Sequence, residues 1–270
     1  MSVKSEAKLE SGIGETIRVV IHALLIALVI RTFLFQPFTI PSGSMKATLL
    51  VGDYLFVSKF SYGYSRYSLP WGVPLISGRV FFHEPKRGDV TVFKLPCDFS
   101  RLDQRDAQFR HASCETSTDY IKRIIGLPGD RIQVKHSLLY INDVPVKREH
   151  SEDCDVPAGE GRGQAFQRYW ETLPNGVRHC IVQHDESVNS SMNNTDVFVV
   201  GPGHYFMMGD NRDNSADSRD PTSGVGQVPA ENLVGRAEFL FFSTNSYARW
   251  WEIWNWPFTI RYDRLLTAIH

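Results

Sequence analysis

Hydrophobic positions along the chain fall into two regimes. Near the start they run together. Residues 19–30 read VVIHALLIALVI, broken only by His22 and bounded by Arg18 and Arg31, and apolar side chains resume at Phe33, Leu34 and Phe35. Counted from 17 to 35, the stretch is long enough to cross a bilayer as a helix. Arg18 and Arg31 would sit near its ends, their long side chains reaching the headgroups. A cleaved secretory leader is the rival, and Ser42-x-Ser44 has the small-x-small look of a crude cleavage site. A cleavage site follows its apolar core closely, however, and here more than ten residues lie between Ile30 and Ser44, with Phe38 and Ile40 among them. The pattern therefore favours an uncleaved anchor. Lys4, Lys8 and Arg18 precede the span and Arg31 and Lys46 follow it, a slight bias that puts the N-terminus in the cytoplasm and the bulk of the chain outside.

Beyond the anchor the pattern changes to short runs rich in β-branched and aromatic residues, separated by turns. Residues 53–60 (DYLFVSKF), 89–95 (DVTVFKL), 131–134, 138–141, 204–208 and 236–242 read as strands. An Asn142-Asp143 turn follows the run 138–141. Residues 169–172 and 177–182 flank Asn175-Gly176, a strong two-residue hairpin signal. No long helical period and no internal repeat follows the anchor. The polar stretches 98–118 and 147–164 read as surface loops or insertions. Trp250, Trp251, Trp254 and Trp256 are four of the six tryptophans. Such a cluster suits the membrane interface, where the ring is buried and its N–H stays wet, with core packing as the alternative.

Composition narrows the function classes. The chain has 270 residues, 42% hydrophobic and 22% charged, which suits a folded protein with a real core. Lys plus Arg is 29 and Asp plus Glu is 30, a net charge of -1 that gives no support to a nucleic-acid binder. Cys97, Cys114, Cys154 and Cys180 form no C-x-x-C pair, so neither a zinc ribbon nor a thioredoxin-type site is indicated. Four free thiols and two disulfides both fit; of the pairings, Cys97–Cys114 with Cys154–Cys180 is preferred, each bridge closing one irregular segment.

Three segments carry candidate chemistry. In residues 41–49 (PSGSMKATL), Gly43 allows a sharp bend between two serines. An exposed serine hydroxyl near main-chain N–H groups is what a nucleophile needs, although PSGS alone is only a turn. In residues 120–130 (YIKRIIGLPGD), strand alternation puts Lys122 on a face with Tyr120 and Ile124. Burial would lower the lysine pKa toward that of a general base, while a solvated lysine is the plain alternative. Residues 209–219 (GDNRDNSADSR) are acidic enough to suggest a calcium loop. Counted from Asp210 or Asp213, though, no Gly falls at loop position 6 and no Glu at position 12, so an EF-hand is excluded. A buried scaffold remains, with Asp210 and Asp217 pairing Arg123 and Arg219.

Together and in this order, the segments resemble the bacterial type I signal peptidase (leader peptidase) family of serine–lysine proteases. The likeness runs through IALVIRTFLFQPFTIPSGSM, DYLFVSKFSYG, RGDVTVFKLP, YIKRIIGLPGD, GHYFMMGDNRDNSADSR and NLVGRA. It implies Ser44 as nucleophile and Lys122 as general base. It further implies Ser42 as the hydroxyl that joins the Ser44 N–H in the oxyanion hole, and Ser215 as the group orienting the lysine. Arg123, Asp210, Asp217 and Arg219 would be the supporting ion pairs, and Met45 belongs to the nucleophile motif. The family usually has Pro where this chain has Ala47, a change expected to loosen the turn. DPTSGVGQVP after Arg219 and the segment between Cys97 and Cys114 also depart from the pattern.

The resulting expectation is a mostly β protein: one N-terminal transmembrane helix, then an extracytoplasmic antiparallel β-sheet catalytic domain with a β-rich insertion. The expected layout is a cytoplasmic tail over 1–16, the anchor over 17–35, a catalytic core over 36–135 and 201–248, the insertion over 136–200, and a tryptophan-rich interface tail over 249–270. The implied activity is removal of signal peptides, bound as extended strands, from preproteins at the bacterial inner membrane, on its periplasmic side, without metal or cofactor. A non-catalytic, membrane-anchored binding domain and a protease acting on itself or one partner are the alternatives.

Overall fold

The computed structural model describes residues 3–69, 72–73, 75–96, 118–152, 166–184, 191–220, 224–245 and 254–270, with side chains from residue 14 onward. The chain opens with α1 (Val3–Val29), so residues 3–16, expected as a separate tail, continue the same helix. Within it and the turn that follows, Gly14–Leu34 has a mean hydropathy of 2.2, long and apolar enough to cross a membrane. Its side chains are almost entirely exposed, the opposite of a soluble core helix. A short π-helical turn, Ile30–Leu34, ends it.

The strands follow in chain order. The first six are β1 (Phe35–Thr39), β2 (Asp53–Ser58), β3 (Tyr64–Ser65), β4 (Arg79–Val80), β5 (Val90–Lys94) and β6 (Asp119–Gly126). Next come β7 (Arg131–Lys135), β8 (Leu138–Ile141), β9 (Val144–Pro145), β10 (Lys147–His150), β11 (Phe166–Thr172), β12 (Arg178–His184) and β13 (Phe198–Val199). The last three are β14 (His204–Met208), β15 (Gln227–Pro229) and β16 (Leu233–Ser243). A seven-stranded antiparallel sheet, ordered β1-β2-β16-β5-β6-β14-β15, forms the body. Three register shifts in β16 and one in β14 bend it.

The insertion pairs within itself, as the sheets β10-β11-β12 and β13-β7-β8-β9. The body therefore gives way to the insertion after Gly126 rather than at 135, because β7 pairs with β8 and β13 and not with the large sheet. The turns follow the sequence: Asn142 and Asp143 have φ of 53° and 66°, and Gly176 has 86°. The apolar alternation of these strands fills three cores. Met45 and Leu49 of the PSGSMKATL segment pack with Leu55, Val57, Val90 and Val92. Phe93, Ile124, Tyr205 and Met207 fill the second, and Ile132, Leu139, Phe206 and Met208 join the insertion to the body.

Two expectations change. Phe35, counted with the anchor, begins β1, and the link to Ser44 is mostly sheet, registered Phe35↔Ser58 to Thr39↔Tyr54. The C-terminal segment, expected as an interface tail, is paired with the body. Thr267 O and Glu238 O take the N–H groups of Leu240 and Ile269 at 2.8 and 2.9 Å, stitching the last residues to β16. Trp254 and Trp256 are exposed; Trp250 and Trp251 lie outside the described residues. So do Cys97, Cys114 and Cys154, while Cys180 is in a disulfide.

Candidate active site

The nucleophile segment leaves β1 and makes a tight turn. Lys46 N donates to Gly43 O at 3.1 Å and Leu49 N to Met45 O at 2.8 Å. Met45 is buried as the hydrophobic pin of this turn. Ala47 has φ 88°, a conformation a proline ring, locked near about −65°, cannot take. A proline at 47 would therefore require a different backbone here. The base of the turn is tied by Asp53, whose carboxylate takes Leu50 N at 2.8 Å, Ser243 Oγ at 2.6 Å and Arg264 Nη2 at 2.7 Å.

Lys122 comes from β6, paired with Thr91 of β5. Its Nζ lies 2.6 Å from Ser44 Oγ and 3.1 Å from Ile121 O. The residue is 4% exposed. Desolvation lowers its pKa to about 8, against the smaller opposing pull of Asp217 and Asp210. Ser42 Oγ is 3.5 Å from Ser44 Oγ. Both serines and Lys122 line an open cleft of about 590 Å³, walled also by Phe38, Ile40, Tyr120 and Ala216.

The acidic loop supports this arrangement from behind. Arg123 Nε and Nη2 donate to Asp210 Oδ1 and Oδ2 at 2.9 and 2.7 Å, and Thr48 Oγ1 donates to the same Oδ2 at 2.5 Å. Arg219 forks onto Asp217 at 2.9 and 2.8 Å, and Asp217 Oδ2 accepts Gly209 N at 3.0 Å. All four charged groups are buried, and the partner arginines hold both carboxyls below the usual range despite their desolvation. Gly209 is required here: a Cβ would lie 2.3 Å from Ser215 Oγ and 2.5 Å from Ser44 O. The Ser215 hydroxyl is buried against this point and makes no hydrogen bond, so a bond to Lys122 is not present in this state. Among the described residues no cluster of His, Cys, Asp or Glu could hold a metal ion.

Sequence reasoning missed Asn211, which grips the nucleophile turn twice: its N–H donates to Ser44 O at 3.1 Å and its Nδ2 to Gly43 O at 2.9 Å. It also missed Arg212, buried within the acidic loop, and Glu171 and His179, buried behind it. The only sequence-level signal was the position of Asn211 and Arg212 inside GDNRDNSADSR.

The geometry brings a serine hydroxyl and a buried amine together in one open cleft. A family model, signal peptidase, peptidase S26, matches residues 13–242. Signal peptidase I of Rickettsia typhi (strain ATCC VR-144 / Wilmington) is 43% identical over 235 residues, 85% of this chain and 79% of the relative. Signal peptidase I of Rickettsia massiliae (strain Mtu5) is 42% identical over 238 residues, 86% and 80%. A crystal structure of a signal peptidase I from Enterococcus faecalis V583 covers 57% of this chain and 97% of its own at 24% identity, with a TM-score of 0.29, too low to bear on the fold. The chain belongs to the signal peptidase family, peptidase S26, and is a serine endopeptidase. Membership of a peptidase family leaves the binding-domain alternative without support.

Proposed function

We propose that this enzyme removes N-terminal signal peptides from exported preproteins, with Ser44 as nucleophile and Lys122 as general base. The observation that carries the reading is a buried amine 2.6 Å from a serine hydroxyl. An uncharged amine can accept the Ser44 proton as the oxygen attacks the scissile carbonyl. The carbonyl oxygen gains the negative charge, and the Ser42 hydroxyl with the Ser44 N–H would bind it. Collapse of that intermediate breaks the C–N bond, the new amine takes the proton from Lys122, and an acyl-enzyme remains. Water then attacks, giving a proton to Lys122, and the ester bond breaks as Lys122 returns that proton to the departing Ser44 Oγ. Ser215, buried beside Gly209 with an unused hydroxyl, is suited to orient the amine once substrate displaces it.

The cleft favours an extended substrate, because one wall is the segment leaving β1 and the other is residues 119–122 of β6, which pair with β5 but not with β14. Ala-like side chains at the first and third positions before the cut are the specificity that the family resemblance implies. The exposed apolar helix supports anchoring in the inner membrane, and the slight excess of Lys and Arg before it supports an N-terminus in the cytoplasm and a β domain on the periplasmic side. The exposed Trp254, Trp256 and Phe258 support contact of that domain with lipid.

The test is cleavage of a model preprotein by the full chain in detergent or vesicles. Wild type should cut after a small-x-small motif, and Ser44→Ala or Lys122→Ala should abolish it; cleavage surviving both substitutions sinks the assignment.

A further inference from the structure

Strand β12 belongs to the insertion, yet it is bonded into the loop that holds the nucleophile. Val182 N donates to Asp210 O and Arg212 N to Val182 O, both at 2.9 Å, which makes a parallel bridge between Val182 and Asn211. His184 N adds a bond to Asp213 Oδ2 at 2.7 Å. From the same hairpin, Glu171 and His179 stand opposite each other in the β11–β12 register and therefore share a face. Both are buried.

Glu171 receives both prongs of the Arg212 guanidinium, one at 2.8 Å. Its Oε1 is 3.4 Å from His179 Nε2, and that nitrogen is 3.8 Å from Asp210 Oδ1. The imidazole is thus wedged between the carboxylate of the insertion and the carboxylate of the catalytic loop, with neither ring nitrogen hydrogen-bonded. Packing alone does not call for such a cluster, because buried polar groups are costly and an apolar residue would fill the space. What the cluster adjoins is Asn211, the residue that grips Ser44 O and Gly43 O.

We infer that Glu171 and His179 are positioning residues for the nucleophile. Through Arg212 and Asp210 they fix segment 210–212, and Asn211 thereby fixes the Ser44 turn against Lys122. The insertion is then part of the catalytic apparatus, although among the described residues none of its side chains lines the cleft. This rests on the Ser44–Lys122 reading.

The experiment uses the full chain with a model preprotein and measures kcat, KM and Tm. His179→Asn should lower kcat about tenfold with KM within about twofold, since small misplacement of a reacting group costs rate more than binding. Adding Asn211→Ala to His179→Asn should cost no more than the worse single change, because both act on the same turn. Glu171→Asp should keep part of the kcat that Glu171→Gln loses. If Glu171→Gln leaves the Arg212 cation unpaired and fails to fold, the His179 and Asn211 pair carries the test. Wild-type kcat for His179→Asn, or multiplying losses in the double variant, overturns the inference. Ser44→Ala and Lys122→Ala run in the same assay separate the two claims. If they retain cleavage, the dyad itself is wrong; if they are dead while His179→Asn is normal, only the positioning role is.

Discussion

Two lysines among the described residues are buried, and only one of them faces a hydroxyl. Lys122 and Lys59 are 4% and 2% exposed, and desolvation brings each to a pKa of about 8. Lys122 is opposed by the carboxylates of Asp217 and Asp210, whereas Lys59 is further lowered by the cations Arg31 and Lys94 and raised by Asp119. The partner differs too: Lys122 Nζ meets the Ser44 hydroxyl, and Lys59 Nζ donates to the Ser68 carbonyl. A carbonyl oxygen has no proton to give. A lowered pKa therefore makes an amine available as a base, and the neighbouring atom decides whether it has anything to deprotonate.

The largest effect expected from breaking this comparison is on rate. Lys122→Ala should reduce kcat/KM by about 10³-fold or more, while Lys59→Met should stay within about threefold, measured on the same preprotein. Ser42→Ala, which removes one oxyanion donor and leaves both lysines, should cost about 10²-fold in kcat.

The pH profile sharpens the contrast. The working form is the free base, so activity should rise about tenfold per pH unit and level off above about pH 8. Because Lys59 has the same value, the limb alone does not name the lysine; its persistence in Lys59→Met would. A limb lost or moved by a full unit in that variant would falsify the assignment to Lys122.

The smallest effect is on stability. A lysine whose folded pKa lies below its unfolded value penalises folding wherever both states are charged. That penalty is full below about pH 8 and fades as pH rises toward the unfolded value of 10.5. Lys122→Met should thus stabilise the fold at pH 7 by about 1–3 kcal/mol in denaturant melts, and by less at pH 10. Lys59→Met should gain a similar amount, because each change leaves one carbonyl, Ser68 or Ile121, without its lysine donor.

Ser44 and Lys122 were not singled out by local pattern: PSGS alone is a turn and a lysine on an alternating strand can be solvated, and only the order of the segments, as in the family they resemble, picked them out. The hairpin at Asn175-Gly176 and the turn at Asn142-Asp143 were legible locally, since left-handed backbone has few takers. What sequence hid depends on long-range register. Glu171 and His179 look like ordinary strand residues until β12 is set against residues 210–212, a pairing no local signal encodes. The anchoring of Asp53 by Arg264 spans nearly the whole chain in the same way. The boundary at Gly126 was missed because β6 and β7 are both apolar strands, and only their partners tell them apart.

The junction after α1 has a mechanical consequence. Leu34 O is held by Lys59 N at 2.9 Å and Phe33 O by the Tyr64 hydroxyl at 2.7 Å, and the chain enters β1 at the next residue. Nothing there can pay out or reel in. If the helix is moored in lipid, the height of the cutting edge above the bilayer is built into the protein like the stop on a carpenter's gauge. A substrate threaded through the same membrane would be measured as well as cut: its scissile bond would have to fall a set distance beyond its own apolar stretch, whatever residues surround it.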